Sequence, residues 1–576
     1  MFYGLPYPSL PSKRVGVIFT CAARISGDNG QNRRTMHLYP RHDESSLSPH
    51  ELSERWETFH ARRRATGSSR IVQLVSPFIG ESSPLRRWVL GRRPAASTEL
   101  PNDVKIVAER QHYLTQTAAL ETSGGDDTEQ MRDEIQIVAF DTADLNATFR
   151  ALDQVLASSA TWVSLVDPGA TSPRAALPAL WDHRTGADVV FADERPNQWP
   201  VLKCAVVGAV SLLSANVVGR PALLRLDAVR SVGGFDAAAG VAAEHDLYLR
   251  LQEAAARFVH VPVIAPNGRS VSEATDPRLP SATVDVVTNA LARRGVPAFV
   301  EPLGVGSRVT WATVRAPQPR IDIVIPTRDR LDLLRRCIDS VVAHSTYGNY
   351  AITILDNDSV EPATLAYFAS CGHRVVACPG PFNYAAIMNR GVASTTGEFF
   401  ITLNNDTVVV TPDWIERLLD VAALPSVGLV GCRQIDQYGR HEHDGVVIAP
   451  YPQHLRYLEN WWMDDAYVEC RRNVAAVTGA VTMVRRSAWD AVGGMDETLA
   501  VVMNDIDVCL RLQNEGHDVA MVPDVTFRHD ASSSRGRLDP LADRNRFVAR
   551  WDIFGSFRDP YFPERLRLYG TRFVAE

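Results

Sequence analysis

The sequence predicts an α/β protein with a mostly parallel sheet and helices on both faces, in two tandem copies of which the first is degenerate. Strand-like and helix-like segments alternate from about Asp133 onward. In the later part of the chain, three apolar runs rich in β-branched residues each stop at polar residues. An internal repeat relates GGFDAAAGVAAEHDLYLRL (233–251) to GGMDETLAVVMNDIDVCLRL (493–512), and the flanking segments match in the same order.

The repeat divides the chain of 576 residues into four parts. Residues 1–127 have poor apolar periodicity and predict an irregular region, partly disordered or a small accessory domain. Residues 128–300 contain the first copy, and residues 320–576 contain the second. The stretch 301–319, which ends in a Pro-rich segment, is predicted to be a linker.

The composition excludes some classes of protein. A net charge of -7 and a pI near 6.1 give no general attraction to nucleic acid, so an anionic ligand would need a local site. The eight cysteines show no metal-binding spacing and predict free thiols in a reducing compartment. The longest apolar run, at 204–218, is too short to cross a membrane.

Polar residues follow the strands of the second copy at the point where each strand ends. The second strand stops at Asp356-Asn357-Asp358, and the third stops at Asn404-Asn405-Asp406. Asp and Asn are common turn formers, so each strand end alone is explained by structure. Because ligands bind beyond the carboxyl ends of parallel strands, the three ends together predict a ligand site at this edge of the sheet.

A second group of acids lies in NDIDVCLRLQNEG. If Asn504 caps this helix, Asp505 falls in the first turn, where the helix dipole favours its charge. Asp507 is spaced for an ion pair with Arg511 or for a capping box, so structure alone explains it. Asp505 has no ion-pair partner of its own, and it is the candidate general base for a hydroxyl group.

Two residues that are distant in the sequence, Asp406 and His529, are candidate metal ligands. His529 follows a strand and precedes the polar loop ASSSRG, which contains Arg535. Together with Asp406, His529 offers one nitrogen and one oxygen ligand for a divalent ion that keeps open positions for phosphate oxygens. Arg535 could then neutralise a diphosphate. Only the combination of these residues supports this interpretation.

At these residues the second copy resembles the family 2 glycosyltransferases with the GT-A fold, of the two-domain kind often labelled rhamnosyltransferase-like. Each shared motif is weak alone, but nine of them occur in the order of the family. They are IVIPTRDR, LDNDS, PGPFNYAAIMNRGV, GEFFITLNND, TPDWI, VTGAVTMVRRSAW, VGGMDE, NDIDVCLRL and HDASSSRG.

The resemblance implies roles for matching residues. Asp505 would be the catalytic base, and Asp406 and His529 would hold Mg2+ or Mn2+. The residues implied in binding the nucleotide-sugar donor are Pro326, Thr327, Arg328, Asp356, Asn389, Arg390, Asn404, Asn405, Asp406 and Arg535. Residues near the acceptor would be Trp461, Trp462, Gly479 and Asn504, although core packing explains the two tryptophans equally well.

The implied reaction moves a sugar from a UDP- or dTDP-sugar to a hydroxyl of a glycan or lipid-linked glycan, with inversion at C1. The implied setting is polysaccharide or cell-envelope assembly at the cytoplasmic side, with peripheral membrane association open. Two rival functions are considered. A sugar nucleotidyltransferase would carry a Gly-rich loop after its first strand, which IPTRDR lacks. An inactive carbohydrate-binding scaffold would not need Asp406, Asp505 and His529 together.

Both copies depart from the pattern of the family. In the second copy, Asn404 opens the DxD-like motif, and a His-Asp pair stands where two histidines are common. The first copy departs further. Its Asp167 lies near the metal position but is followed by Pro-Gly; Glu244 falls opposite Asp505, and Gly268 falls opposite His529. We expect the first copy to be inactive and to serve in packing or in holding a long acceptor.

Overall fold

A computed structural model describes most of residues 129–576 and four residues of the preceding region. The gaps are residues 169–175, 195–200, 266–275, 305, 311–316, 456–468, 531–539, 565, 570–571 and 576. The four earlier residues, Glu51, Glu54, Arg55 and Thr58, are helical. Arg55 forms an ion pair of 2.7 Å with Asp552, so this part of the chain contacts the second domain. The rest of the predicted irregular region lies outside the described residues.

Five strands form the first sheet: β1 (Ile135–Ala139), β2 (Trp162–Val166), β3 (Val189–Glu194), β4 (Ala222–Arg225) and β5 (Phe258–Ala265). Their order across the sheet is β1-β2-β4-β3-β5. The outer pairs, β1 with β2 and β3 with β5, are parallel. The central strand β4 is antiparallel to both of its neighbours.

Among the described residues, seven helices accompany this sheet: α1 (Glu129–Glu134), α2 (Leu145–Leu156), α3 (Leu177–Asp182), α4 (Ala209–Ser214), α5 (Leu226–Ser231), α6 (Ala243–Glu253) and α7 (Leu279–Arg293). A 3-10 helix, Ala237–Ala242, leads into α6. The start of α2 follows from its sequence, because the Asp144 carboxylate accepts a hydrogen bond from the Ala147 N–H at 2.9 Å.

The predicted linker at 301–319 begins with ordered structure. The strands β6 (Phe299–Leu303) and β7 (Gly306–Thr310) form an antiparallel hairpin. The Ser307 hydroxyl donates to the Leu213 carbonyl of the first domain at 2.7 Å. Arg471 of the second domain donates to the Val309 carbonyl at 2.7 Å. The hairpin therefore contacts both domains.

Ten strands form the second sheet: β8 (Ile321–Thr327), β9 (Tyr350–Asp356), β10 (Arg374–Ala377), β11 (Phe399–Leu403), β12 (Thr407–Val409), β13 (Val427–Ile435), β14 (His441–His443), β17 (Arg472–Asn473), β18 (Val481–Arg485) and β19 (Asp518–His529). The order is β10-β9-β8-β11-β18-β13-β19-β12, with β14 beside β13 and β17 beside β19. Strands β8 to β11 are parallel, whereas β18 is antiparallel to both neighbours. Two separate hairpins complete the strands: β15 (Val446–Ile448) with β16 (Pro452–His454), and β20 (Leu566–Tyr569) with β21 (Arg572–Ala575).

Seven helices belong to the second domain: α8 (Leu331–His344), α9 (Pro362–Ser370), α10 (Tyr384–Ala393), α11 (Trp414–Ala422), α12 (Arg486–Ala491), α13 (Asn504–Asn514) and α14 (Leu541–Trp551). Helix α10 begins where the Asn383 side chain accepts a hydrogen bond from the Ala386 N–H at 3.0 Å. Helix α13 begins after Met503, whose φ of 67° is left-handed.

The first sheet repeats the central five strands of the second in order and direction. Strands β1, β2, β4, β3 and β5 correspond to β8, β11, β18, β13 and β19, with parallel and antiparallel pairs in the same places. Residues 157–161 stand where the second domain has residues 345–398, so the first sheet lacks counterparts of β9 and β10. The strand that opens the first copy is β1 itself.

The two sheets share one hydrophobic core. A single buried cluster contains Phe191 and Leu224 from the first domain and Trp414 and Phe527 from the second. Among the described residues, no helix is long and apolar enough to cross a membrane. Every cysteine in that part of the chain is a free thiol.

Candidate functional site

Asp406 and His529 lie side by side because two strands pair. β12 runs antiparallel to β19 and places Thr407 opposite His529. The Asp530 N–H donates to the Asp406 carbonyl at 3.0 Å and extends this pairing by one residue. The His529 Nε2 then lies 3.4 Å from the Asp406 Oδ1. The predicted proximity of these two distant residues is present in the structure.

The two side chains fit a divalent cation that is completed by another ligand. The Asp406 residue is only 2% exposed, and its carboxylate reaches the same rim as the His529 imidazole. Mixed oxygen and nitrogen donors suit Mg2+ or Mn2+ when further positions are left for phosphate oxygens. In the described part of the chain, no group of three or more His, Cys, Asp or Glu side chains converges. Besides Asp406 and His529, a cation at this site would therefore need further ligands, such as phosphate oxygens.

Asp505 lies in the first turn of α13, as predicted. Its Oδ2 accepts a hydrogen bond from the Gly479 N–H at 2.9 Å, and its Oδ1 accepts one from the Ile506 N–H at 2.9 Å. A side chain at position 479 would put its Cβ 3.2 Å from the Asp505 Cβ, so the close approach favours glycine. Asn504 is buried, and its side-chain amide donates to the Leu499 carbonyl.

Gly479 connects Asp505 to the Asn404-Asn405-Asp406 loop. Its carbonyl accepts hydrogen bonds from the Tyr384 hydroxyl at 3.2 Å and from the Thr402 hydroxyl at 3.1 Å. The Tyr384 hydroxyl also lies 3.3 Å from the Asn404 Oδ1. The sequence reasoning missed Tyr384 and Thr402, since both lie in apolar stretches that predict core residues. The position of Tyr384, directly after the helix-capping Asn383, was the available signal.

The three strand ends of the predicted donor rim are bonded to one another. The Asn405 amide donates to the Thr327 hydroxyl at 3.0 Å. The Asp329 carboxylate accepts hydrogen bonds from the backbone N–H groups of Val360 at 2.7 Å and Glu361 at 2.8 Å. The Asp356 Oδ1 accepts one from the Ser359 N–H at 2.9 Å. These bonds hold the loops after β8, β9 and β11 together at one edge of the sheet.

Arg330 is a further cation at this rim that the sequence reasoning did not single out. The hydrogen bond that Arg330 donates to the Asp332 carboxylate raises the pKa of its guanidinium, and the nearby charge of Asp406 also raises it. Asp329 and Arg330 both have left-handed φ angles, 53° and 52°, which turn the chain sharply into α8. Arg328 is exposed and Pro326 is half-buried at the same turn.

Asn389, a predicted donor-binding residue, contacts the loop that precedes α13. Its side-chain oxygen accepts a hydrogen bond from the Met495 N–H at 2.9 Å, and its side-chain nitrogen donates to the Met495 carbonyl at 2.9 Å. The amide nitrogen also donates to the Glu497 carboxylate at 3.1 Å. Both polar ends of the Asn389 side chain hold the loop that precedes α13, and its place near the nucleotide stays a prediction. Arg390, one residue further along α10, is exposed.

Asp507 forms the predicted ion pair with Arg511, at 2.7 Å. The alternative capping box is wrong, because the other carboxylate oxygen accepts hydrogen bonds from Arg550 at 2.9 Å and from the Trp551 indole at 3.0 Å. Arg511 also donates to the carbonyls of Val492 and Gly494, each at 2.7 Å. Of the remaining predicted residues, Arg535, Trp461, Trp462 and Gly268 lie outside the described residues.

A buried cysteine underlies the metal-site loop without taking part in acid–base chemistry. The Cys337 Sγ lies 3.6 Å from the Asn404 carbonyl and 3.7 Å from the Thr407 hydroxyl. Burial raises the pKa of the Cys337 thiol to about 12, so the thiol stays protonated at neutral pH. Its role is to pack beneath the loop.

The order of the strands and the acidic rim define the second domain as a GT-A α/β domain, which confirms the predicted fold class. The profile of the family described as "Glycosyltransferase like family 2" matches residues 317–551. The match covers the second domain and supports the resemblance of this part of the chain to the family 2 glycosyltransferases.

Three curated relatives are similar to the chain over different lengths. An uncharacterized protein, y4gI, from Sinorhizobium fredii is 31% identical over 391 residues, which is 63% of this chain and 43% of the relative. The O-antigen biosynthesis protein RfbC from Myxococcus xanthus is 33% identical over 382 residues, or 62% and 28%. An N-acetylglucosaminyl-diphospho-decaprenol L-rhamnosyltransferase from Mycobacterium tuberculosis is 35% identical over 103 residues, or 15% and 33%. The matched segments span less than half the length of each of these relatives.

Proposed function

We propose that the second domain transfers a sugar from a nucleoside diphosphate donor to a hydroxyl group of a glycan or glycolipid, with inversion at the anomeric carbon. The main support is that the Asp406 and His529 pair, the donor rim and Asp505 are connected through one glycine. Gly479 donates its N–H to Asp505, and its carbonyl shares the Tyr384 hydroxyl with Asn404. An acid that could act as a base therefore lies in one bonded unit with the loop that would hold the diphosphate.

Asp505 is proposed as the general base. Its two carboxylate oxygens each accept one backbone hydrogen bond, and the described ion pairs do not include it. The carboxylate takes the proton of the acceptor hydroxyl as the oxygen attacks C1 of the sugar. The bond between C1 and the diphosphate oxygen breaks on the opposite face, so the configuration at C1 inverts.

Asp406 and His529 would hold Mg2+ or Mn2+. Such a cation, when bound, stabilises the negative charge of the leaving nucleoside diphosphate. Three residues of this chain, Thr327, Asn405 and Asp356, would form the rim that binds the nucleotide. Arg330, whose guanidinium lies in the electrostatic range of Asp406, adds positive charge near the phosphates.

The donor and acceptor are proposed from the family alone. UDP- and dTDP-sugars are the donors that we would test first, and a lipid-linked or free glycan is the acceptor. The RfbC relative is named for O-antigen biosynthesis, which supports a role in polysaccharide or cell-envelope assembly. Work at the cytoplasmic side, with or without peripheral contact to the membrane, belongs to the same proposal.

The first domain is proposed to be a transferase copy without activity. Support comes from the repeated strand order and from the missing segment between α2 and β2, which in the second domain contains Asp356 and α10. A nucleotide would therefore lose one side of its binding rim. Packing against the second domain, or holding a long acceptor, remains as its role.

A screen of UDP- and dTDP-sugars with Mn2+, Mg2+ or EDTA tests the proposal. We expect release of the nucleoside diphosphate that depends on the cation, and an inverted anomeric configuration in the product by NMR. Asp505→Asn should lower turnover by at least about 100-fold while UDP affinity stays nearly unchanged. Asp339→Asn, on the exposed face of α8, is the matched control.

Two results would redirect the proposal. If Asp505→Asn loses nucleotide binding along with turnover, Asp505 is structural and the base must be found elsewhere. If the protein releases pyrophosphate from a nucleoside triphosphate and a sugar phosphate, it is a nucleotidyltransferase, the rival function considered from the sequence.

A further inference from the structure

Positions in the two domains can be matched residue by residue through the strand registers. Trp162 pairs with Arg225 in the first sheet, as Phe399 pairs with Arg485 in the second. Counting along these strands, Asp167 corresponds to Asn404 at the start of the metal-site loop. In the same way Gly219 corresponds to Gly479, and Arg220 corresponds to Ala480.

Helix α6 of the first domain can be matched to α13, which contains Asp505, because both helices have the same internal ion pair. Arg250 binds Asp246 and the carbonyls of Val232 and Gly234. The second domain has the same arrangement, in which Arg511 binds Asp507 and the carbonyls of Val492 and Gly494. This match places Glu244 at the position of the proposed base Asp505.

Arg220 lies between the two matched acids of the first domain. Its Nη1 is 3.1 Å from the Asp167 Oδ1, and its Nε is 3.2 Å from the Glu244 Oε2. The exposed fractions are 5% for Arg220, 5% for Asp167 and 4% for Glu244, so all three are buried. The Nη1 also donates to the Phe140 carbonyl at 2.8 Å. An ion triplet thus lies where the second domain has Asn404, Ala480 and Asp505.

Phe140 packs against Arg220 at the position that corresponds to the proposed donor rim. By the register of β1 with β2, Phe140 corresponds to Pro326, which lines the proposed donor rim. The Arg220 guanidinium carbon lies 5.1 Å from the centre of the Phe140 ring, and Phe140 is fully buried.

We propose that Arg220 is the permanent internal cation of the first domain, held between the two acids that correspond to Asn404 of the metal-site loop and to the proposed base Asp505. A guanidinium with fixed positive charge satisfies the two acids without an exchangeable ligand. The inference goes beyond the transferase proposal, because it assigns a site in the other domain and predicts that this site binds neither cation nor nucleotide.

The surroundings of Glu244 also remove its capacity to act as a base. Its Oε2 faces Arg220, and its Oε1 accepts a hydrogen bond from the Tyr248 hydroxyl at 3.0 Å. Burial, together with the charge of Glu244, raises the pKa of Tyr248 well above its usual value, so the hydroxyl stays protonated as a donor. A carboxylate that is bonded on both oxygens and shut off from solvent has no route to an acceptor hydroxyl.

Cation binding by the full chain gives the first test. We would titrate Mn2+ by electron paramagnetic resonance, with UDP present, in the wild type, Asp406→Asn and Glu244→Gln. Asp406→Asn should remove all bound Mn2+, and Glu244→Gln should remove none. A Mn2+ ion that survives Asp406→Asn and is lost in Glu244→Gln would overturn the inference. If the wild type binds no Mn2+ at all, the metal-dependent transferase is contradicted, whereas the closed first site is supported.

Thermal unfolding gives the second test and does not depend on activity. Arg220→Met leaves two buried acids without their cation, so Tm should fall by about 10 °C. The triple variant Arg220→Met, Asp167→Asn, Glu244→Gln removes all three charges and should regain most of that loss. Arg225→Met, at an exposed ion pair on the same sheet, is the control and should change Tm by less than about 3 °C.

The comparison between single and triple variants decides the outcome. A triple variant that is no more stable than Arg220→Met would overturn the assignment of Arg220 as the counter-cation. The same conclusion follows if Arg220→Met unfolds during purification and the triple variant does too. A folded triple variant beside an unfolded single variant supports the assignment.

Discussion

The carbonyl oxygens of Gly219 and Gly479, at the same position in the two sheets, each accept a hydrogen bond from a tyrosine hydroxyl. In the second domain the donor is Tyr384 of α10, at 3.2 Å. The first domain has no counterpart of α10, and there Tyr248 of α6 donates to Gly219 at 3.3 Å. Two different helices supply the same group. The glycine carbonyl therefore needs a buried donor in both domains, and only in the second does that donor also reach the metal-site loop.

Removing the Tyr384 hydroxyl should affect donor binding and turnover together. In Tyr384→Phe, Asn404 loses a partner for its Oδ1, and Gly479 loses one of two donors to its carbonyl. We expect about a three- to tenfold rise in donor KM and a similar fall in kcat, which is the effect of one neutral hydrogen bond on each. Steady-state kinetics with the best donor from the screen would measure both values.

Two further variants separate the contacts of Tyr384. Thr402→Val removes the other donor to the Gly479 carbonyl but does not touch Asn404, so kcat should fall while donor KM stays unchanged. Tyr367→Phe, on α9, makes the same chemical change away from the site and should alter neither value. If Tyr384→Phe behaves like Tyr367→Phe, the hydroxyl does not position the site.

The ion pair of Asp507 should contribute strongly to stability. Asp507→Asn leaves Arg511 and Arg550 without their shared carboxylate in a buried setting, so the free energy of unfolding should fall by about 3 kcal/mol. Asp413→Asn breaks a pair with Arg417 of the same spacing at a surface where Asp413 is 45% exposed. That control should cost less than about 1 kcal/mol. Urea unfolding would compare the two, and equal losses would contradict the prediction.

The contrast between these pairs also explains which features could be predicted from the sequence. Asp507 with Arg511 and Asp246 with Arg250 are four residues apart on a helix, so spacing alone indicates contact. The strand ends at the rim follow from apolar runs in the same local way. The combination of Asp406 with His529 was predicted from their ligand types and from the family resemblance, and the pairing of β12 with β19 explains their proximity.

The features that were missed depend on contacts between distant segments. Arg220 belongs to a Gly-Arg-Pro turn in the sequence, and only the packing of β2 and α6 around it reveals two acidic partners. Asn389 matched a motif of the family, but the fold uses its amide to bind the Met495 backbone. The β6 and β7 hairpin has short strands, and Val309 is buried where Arg471 of the second domain donates to its carbonyl. Local patterns contain none of this information.

His529 should contribute to cation affinity. Loss of a supporting residue behind a metal ligand commonly weakens metal binding by about 10- to 100-fold, so loss of the ligand itself in His529→Ala should weaken Mn2+ binding by at least about 100-fold. Mn2+ titration in the presence of UDP would measure the change. His344→Ala removes an exposed imidazole at the end of α8 and should leave the affinity unchanged. An unchanged affinity in His529→Ala would remove His529 from the site.

Asp559 should make the stability of the fold fall as pH rises from about 4 to 6. Its carboxylate is buried, and it accepts backbone hydrogen bonds from Ile448 and Tyr561, each at 2.9 Å. Burial raises the pKa of Asp559 to about 6, above the usual value of 3.8. The folded state therefore holds the proton more tightly than the unfolded state, so the protonated form favours folding. The cost of ionising the buried group grows between these two pKa values and is complete above pH 6.

A variant isolates this contribution from the other titrating groups. Asp559→Asn has no charge to bury, so its free energy of unfolding relative to the wild type should improve by about 2 kcal/mol between pH 4.5 and pH 7.5. Urea unfolding at the two pH values would measure the change. Asp339→Asn, exposed on α8, should show the same difference from the wild type at both. The prediction is contradicted if the free energy of unfolding of Asp559→Asn differs from that of the wild type by the same amount at both pH values. Solvent would then reach this carboxylate, and its burial would carry no titration penalty.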